Sequence, residues 1–460
     1  MAYSYDRAGN LASATNAAST STYGYDNRNL ATSVTDPSGK VIDFANDTTG
    51  RRTDTWFNDT TGHATFAAHT HTDYDASSRI TRVWTSQNSS DSSRASDLSY
   101  SYAAPGSSVC ATSAPASGAD TGLRWSQTDN ITGAVTSYCY DQANRLTTAS
   151  TSGGDSWEYT YDSDGNRLTA TKNGTVVQSF GSFNSADQIT GSTYSYDGAG
   201  NTAIDPTNSA FGYSDADQMT SRTDRYTTPT TSRYGYAGTT QNELVSDSAR
   251  NYTYGRTTKQ GVPLVESYTA LGSTYSYVYD PQGTPLAMEG SNTHYLALDG
   301  LGSPVALIKQ DGATTGTYSY DPWGQVTATA VGGSGATGVQ IYSFVGGIDD
   351  PTSTLEHFGR RWYDPSIGRF TQQDDLQVLA DPSRANRFEY AGDNPNNYVD
   401  LTGRCSIDTW VHYGLGLIIG VATAVGGALT SEVGVGIAGM IAGWGVITDV
   451  TYGMEVCASE

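Results

Sequence analysis

At residues 159–168 the chain reads YTYDSDGNRL, and this phrase decides the fold because it keeps returning. It is YSYDRAGN at 3–10, YGYDNRN at 23–29, YCYDQAN at 138–144 and YSYDGAGN at 194–201. It returns as YVYDPQG at 277–283 and YSYDPWG at 318–324. Residues two apart on a strand share a face, so Tyr159 and Tyr161 set two rings side by side, where they can stack on neighbouring strands. Asp162 opens a tight turn, since a carboxylate there accepts N–H bonds from residues just ahead. Gly165 supplies the positive φ that the turn needs, and Asn29 and Asn144 fill that slot in two other units. Leu11, Leu30, Leu146 and Leu168 then begin the return. Each unit is therefore strand, turn, strand.

The spacing agrees. Asp6 to Asp26 is 20 residues, Asp26 to Asp47 is 21, Asp141 to Asp162 is 21, Asp197 to Asp217 is 20, and Asp280 to Asp321 is 41, about two units. Weaker copies stand at 44–52 (FANDTTGRR), 73–80 (DYDASSRI), 183–189 (FNSADQI) and 211–219 (FGYSDADQM). One unit cannot bury a hydrophobic face alone, whereas stacked units can. The 32 tyrosines and 51 glycines in 460 residues suit a turn-rich, tyrosine-laminated sheet, and helix-forming patterns are almost absent before residue 400. The expected fold is mostly β: a spiralling antiparallel ribbon with a small hydrophobic α-helical C-terminal tail. A net charge of −22 disfavours nucleic acid, a polyanion the chain would repel. The acidity reads as solubility for an exposed β surface.

Four cysteines allow three pairings, of which 110–139 and 405–457 are the most local. As disulfides, Cys110–Cys139 and Cys405–Cys457 would imply export to an oxidising space; free thiols are the alternative. No metal-ligand spacing stands out. His63, His69 and His71 lie near one another and read as solvent-exposed loop residues, so neither metal nor cofactor is expected. No secretion signal is visible at residue 1, and the chain opens inside a repeat unit. The expectation is that it is the C-terminal part of something longer, the alternative being export by a machine that needs no leader.

From residue 294 the wording becomes more specific: HYLALDGLGSPVALIKQDG at 294–312, FVGGIDDPTSTLEHFGRRWYDPSIGRFTQQD at 344–374 and NRFEYAGDNPNNYVDLTG at 386–403. With these motifs the chain resembles the YD- or RHS-repeat proteins, namely bacterial polymorphic toxins, insecticidal-toxin C subunits and the teneurin shell. Residues 294–403 resemble the RHS repeat-associated core. The resemblance implies a hollow spiral shell, a core that plugs one end and a variable C-terminal cargo, commonly a toxin. It divides the chain into a repeat array at 1–270, a core at 271–403 and a tail at 404–460.

Some members of that family cut themselves at the core–cargo junction with two aspartates, a pair that shares one proton and activates water. The matching positions are Asp374 in DDLQ and Asp400 in DLTG. Leu401 stands where the family has proline, and Gln377 where it has glycine. The alternative is that both aspartates open turns or hold the plug. Arg360, Arg361 and Arg369 are expected to pair with plug carboxylates. Trp362 and Tyr363 are expected to present aromatic surface to the lumen, and Asp364, Asn394 and Pro395 complete the core motif.

After Gly403 the composition changes. From Val411 to Val446 only Glu432 is charged, and apolar runs fill 413–429 and 434–447. Gly416 with Gly420 and Gly439 with Gly443 have the spacing that lets helices approach closely in lipid. Each run is short for a bilayer crossing, though a tilted hairpin could span a thinned membrane. The tail therefore reads as a membrane-active cargo, as an apolar segment lodged in the lumen, or, against its lack of catalytic residue clusters, as a folded enzyme. The functional expectation is a secreted or cell-surface shell that carries this toxin-like tail in competition between cells. Its partners would be the tail itself, a target membrane, secretion machinery and an immunity protein. Adhesion to a cell-surface glycan and a self-cleaving core are the alternatives, and no enzymatic activity beyond self-cleavage is expected.

Overall fold

The computed structural model describes residues 2–404 and 407–408, apart from short gaps at 17–18, 61, 107–109, 111–114, 191–192, 226–227, 239–241, 332–334 and 375–385. The turns behave as side-chain chemistry dictates. The Asp162 carboxylate accepts the N–H groups of Asp164 at 2.9 Å and Asn166 at 2.8 Å. Asp6, Asp26, Asp141, Asp197, Asp280 and Asp321 repeat this two-bond clamp. Gly165 has φ +84°, and Asn29 and Asn144 hold the same slot at +62° and +63°. One spacing is corrected. In the unit at 211–219 it is Ser214 that opens the turn, through its Oγ, and Asp217 occupies the glycine slot at φ +57°.

In most units the return strand carries an extra residue just after the turn, the unit at 318–324 being an exception. Thr160 faces Thr169 but Tyr161 faces Arg167, so Leu168 is bulged out, and the same shift recurs at Tyr5, Tyr25, Tyr140, Tyr213 and Tyr279. A bulge bends and twists its strand. Repeated in most units, it curls the ribbon. The second tyrosine also does more than stack. Tyr161 donates its hydroxyl to the Leu146 carbonyl of the preceding unit at 2.6 Å. Tyr25 reaches Leu11, Tyr213 reaches Thr202, Tyr236 reaches Met219 and Tyr320 reaches Pro304 in the same way, at 2.8–2.9 Å.

Within each sheet, every described strand pairs antiparallel with its sequence neighbour. Fifteen described strands from Ala2–Tyr5 to Thr175–Ser179 form one sheet, and ten from Gly235–Ala237 to Val326–Ala330 form another, with smaller sheets between and after. No α-helix occurs among the described residues. The two large sheets face each other. Val34, Ile42, Phe44 and Phe57 pack on Val278, Ala287, Tyr295 and Ile308, with the Phe57 and Tyr295 rings 5.1 Å apart. Arg52 binds Asp280 at 2.7 Å across this contact, and the Gly300 N–H donates to Tyr100. The ribbon therefore winds back on itself, and in this zone its inner faces meet directly, around a packed core rather than an open space. Cys110 and Cys139 form a disulfide that pins the loop before strand Ser126–Asp129 to strand Val135–Tyr140. Cys405, Cys457 and the proposed helical tail lie outside the described residues. The described piece beyond the core, Ile407–Asp408, is extended and pairs with Tyr398–Val399. No described helix is long and apolar enough to cross a membrane.

Candidate functional site: the core and its junction

The described residues of 341–404 hold a short four-stranded sheet, from Ile348–Asp349 to Arg369–Phe370, with irregular connections, around a core of Phe344, Phe358, Tyr363, Phe370, Tyr390 and Val399. The Tyr363 and Tyr390 rings lie 4.4 Å apart. This segment is laid across the turn ends of the ribbon. The Asn394 amide donates to the Asn144 carbonyl at 2.8 Å, the Asn386 amide to Asn166 Oδ1 at 3.0 Å, and Arg369 to the Asp187 carbonyl at 2.5 Å. Gln372 donates to the Asp217 carbonyl, and Tyr363 to the Trp323 carbonyl at 2.7 Å. All five acceptors sit in the unit turns. Asn397 reaches further back, accepting the Arg124 N–H and donating to the Tyr140 hydroxyl at 2.9 Å. Nearer the core, Arg250 pairs with Asp349 at 2.6 Å and Tyr234 donates to Asp350 at 2.8 Å.

The motif residues find distinct tasks. Asp364 clamps the turn that ends at Gly368, accepting the Ser366 N–H at 3.0 Å, and burial pushes its carboxyl up. Gly368 packs so closely on Arg167 and Trp323 that a Cβ would lie 2.6–2.7 Å from them. Asn394 is fully buried, and Pro395 is buried beside it. Arg369 is held over the Phe388 ring and is not part of a described ion pair. The Arg360 N–H donates to the Thr402 carbonyl. Trp362 and Tyr363 are fully buried between core and ribbon, so they fill that contact rather than face an open lumen; the Trp362 indole donates to the Tyr236 hydroxyl at 2.8 Å.

Asp374 and Asp400, 26 residues apart in sequence, converge on one group. Arg361 Nη2 lies 2.9 Å from Asp374 Oδ2 and 3.1 Å from Asp400 Oδ2. The two oxygens are thus no farther apart than those two bonds laid end to end. Both carboxylates are nearly buried, at 8% and 2% exposure, as is Arg361 at 4%. The same guanidinium donates through Nε to the Gly403 carbonyl, and the Arg404 N–H donates to Asp400 Oδ1 at 3.0 Å. The Gly403–Arg404 peptide is therefore gripped at both ends, its oxygen by Arg361 and its N–H by Asp400. Gly403 makes this possible. Its φ is +65°, and a Cβ would stand 2.4 Å from the Phe358 carbonyl oxygen. Gly359 opposite is equally confined, a Cβ there meeting the Thr402 carbonyl oxygen at 2.2 Å. Reading the sequence for ion pairs identified Arg361, but missed that it organises the junction backbone. The glycines of FGRRW at 358–362 and DLTG at 400–403 were the available signal.

Residues 122–396 match the family model described as the teneurin YD-shell, and residues 5–41 match that of the RHS repeat. The tRNA3(Ser)-specific nuclease WapA of Bacillus spizizenii is 30% identical over 275 residues, which is 57% of this chain and 12% of that protein. The double-stranded DNA deaminase toxin A of Burkholderia cenocepacia is 28% identical over 164 residues, 31% of this chain and 11% of that protein. The chain thus spans about an eighth of these relatives' length. Among solved structures, TcdB2-TccC3 superposes with a TM-score of 0.61 at 14% identity, over 87% of this chain and 24% of its own.

Proposed function

The chain belongs to the teneurin YD-shell family, and from that premise we propose that it is the wall and end-plug of a shell that carries the segment after Gly403 as a toxin-like cargo. One observation carries this reading: Tyr363, Arg369, Gln372, Asn386 and Asn394 bond to five separate turns of the ribbon, at Trp323, Asp187, Asp217, Asn166 and Asn144, which supports a core that closes the turn end. Two relatives support it from another side. One is named for a nuclease and the other for a deaminase, yet both resemble this chain, so the shared stretch fits a common carrier better than either activity. The composition of 411–446 makes a membrane-active cargo the leading identity for the tail, delivered outside the producing cell. The test is to produce residues 404–460 alone, residues 1–403 alone and the full chain in bacteria. The tail alone should arrest growth and, as a peptide, empty dye-loaded liposomes, while residues 1–403 do neither. A harmless tail would overturn the reading.

A second reading, release of the tail by self-cleavage, draws on the junction geometry. Arg361 is placed to polarise the Gly403 carbonyl, Asp400 sits at the departing nitrogen, and Asp374 stands on the other side of the guanidinium. In this reading the pair carries one proton on Asp400: Asp374, ionised, takes a proton from the attacking water, and Asp400 gives its proton to the leaving amine as the Gly403–Arg404 bond breaks. Electrophoresis of purified chain should then show a fragment ending at Gly403, absent from Asp374→Asn and Asp400→Asn. A single full-length band from the unaltered chain removes the idea.

A further inference from the structure

Far from the core, three adjacent strands build a second cluster on the face turned away from the packed interior. In strand Arg52–Phe57, Thr55 and Phe57 point inward, which turns Asp54 and Trp56 outward. The next strand, Ala68–Tyr74, places His69 opposite Trp56 and His71 opposite Asp54. Strand Ile80–Gln87 adds Ser86 and Trp84 to the same rows. Two histidines two residues apart on a strand necessarily share that face.

Their ring nitrogens converge. His69 Nε2 lies 3.0 Å and His71 Nδ1 2.6 Å from the same oxygen, Asp54 Oδ1. The far nitrogen of each ring is held by a further carboxylate, His69 Nδ1 by Asp91 at 2.9 Å and His71 Nε2 by Asp73 at 3.3 Å. Asp91 is fixed in turn by the Ser86 hydroxyl at 3.0 Å. The rings are clamped by stacking, His69 on Trp56 at 4.6 Å and His71 on Trp84 at 5.2 Å. His69 is almost wholly buried, while His71 and Asp54 remain partly open to solvent.

We propose that Asp54, His69 and His71 form a three-ligand site for a divalent transition cation of the zinc class on the outer face of the shell. Two imidazoles and a carboxylate are the donors such an ion takes, with a fourth position left for water. Histidine ligands whose other nitrogen is tied to a carboxylate have a fixed tautomer and orientation, and here both histidines have that support. The ligand atoms all lie within 4.8 Å of one another. Bonds of about 2.0–2.1 Å set tetrahedral donors about 3.3 Å apart, so the ion needs only a modest opening of the Asp54 contacts. It displaces the protons now shared between Asp54 and the rings, so binding releases protons and weakens in acid. The bound ion ties strand Arg52–Phe57 to strand Ala68–Tyr74 through side chains as well as backbone. This departs from the sequence reading of these histidines as loop residues: His69 and His71 are in a strand, and Asp54 comes from a neighbour 15 residues away.

The test is calorimetric titration of the metal-free full chain with zinc, paired with thermal melting. One zinc per chain should bind with release of protons and raise the melting temperature. His71→Gln and His69→Gln should abolish both effects. Asp91→Asn should weaken binding about 10–100-fold, as loss of an outer carboxylate does. His63→Gln, which removes the ring stacked at 3.9 Å on Trp56 but no ligand, should weaken binding only a little and not abolish it. His71 is the more exposed ligand, so its variant keeps the test valid if His69→Gln fails to fold. An unaltered chain that ignores zinc overturns the proposal, as does binding that survives His71→Gln or disappears with His63→Gln.

Discussion

Arg361 and Gly403 show how single residues hold the junction. The guanidinium spends its donors on Asp374, Asp400, the Gly403 carbonyl and the Arg387 carbonyl, and the glycine lets the backbone come within reach. Gly403→Ala forces a Cβ against the Phe358 carbonyl from a left-handed backbone and should cost about 1–3 kcal/mol in urea unfolding. A loss below about 0.5 kcal/mol would mean that the junction is not packed as described. A second residue sets a pH dependence. Burial, and then the charge of Asp36 beside it, push the Glu289 carboxyl up to about 7 from 4.5. The folded state thus disfavours the carboxylate. Stability linked to Glu289 is complete below pH 4.5 and is lost as pH rises through 7. Glu289→Gln should flatten the melting profile across that window, a gain on the order of 1–2 kcal/mol at pH 8 once solvent screening is allowed for. An unchanged slope would contradict the assignment.

At the scale of the element, the repeated unit is a hairpin locked to its predecessor by one hydroxyl. Tyr161→Phe keeps the ring but removes the bond to the Leu146 carbonyl, and should cost about 1 kcal/mol. Tyr5→Phe, on a ring 64% exposed at the edge of the ribbon, should stay within about 0.5 kcal/mol. Equal effects would show that stacking alone joins the units. The turn was legible in the sequence because aspartate and glycine act locally: Asp162 clamps its own next residues and Gly165 takes its own φ. The bulge at Leu168 was not legible because it depends on the pairing register of the two arms, and the hydroxyl bond of Tyr161 was not because its acceptor, Leu146, lies in a strand outside the phrase. Ser214 was misread for a related reason. A hydroxyl opens that turn, and Asp217 drew attention from the glycine slot. The pairing of Asp374 with Asp400 was suggested by family motifs, whereas Arg361 between them could be seen only in space. Likewise His69 and His71 became a candidate site only once strand pairing set them against Asp54.

For the whole molecule, curvature accumulated from the bulges brings strands near residue 50 against strands near residue 290, and the core then spans the exposed turn ends. The packed contact between the two walls shows that the ribbon encloses side chains where they meet. Any space for the proposed cargo would lie beyond that zone. The central claim is that residues 341–404 are a plug integral to the ribbon and not a neighbouring domain. Inserting a specific protease site among Gly332, Gly333 and Ser334 and cutting the folded chain tests this directly. The account predicts that the two pieces remain together through gel filtration in native buffer and separate only in denaturant. Separation in native buffer would contradict it.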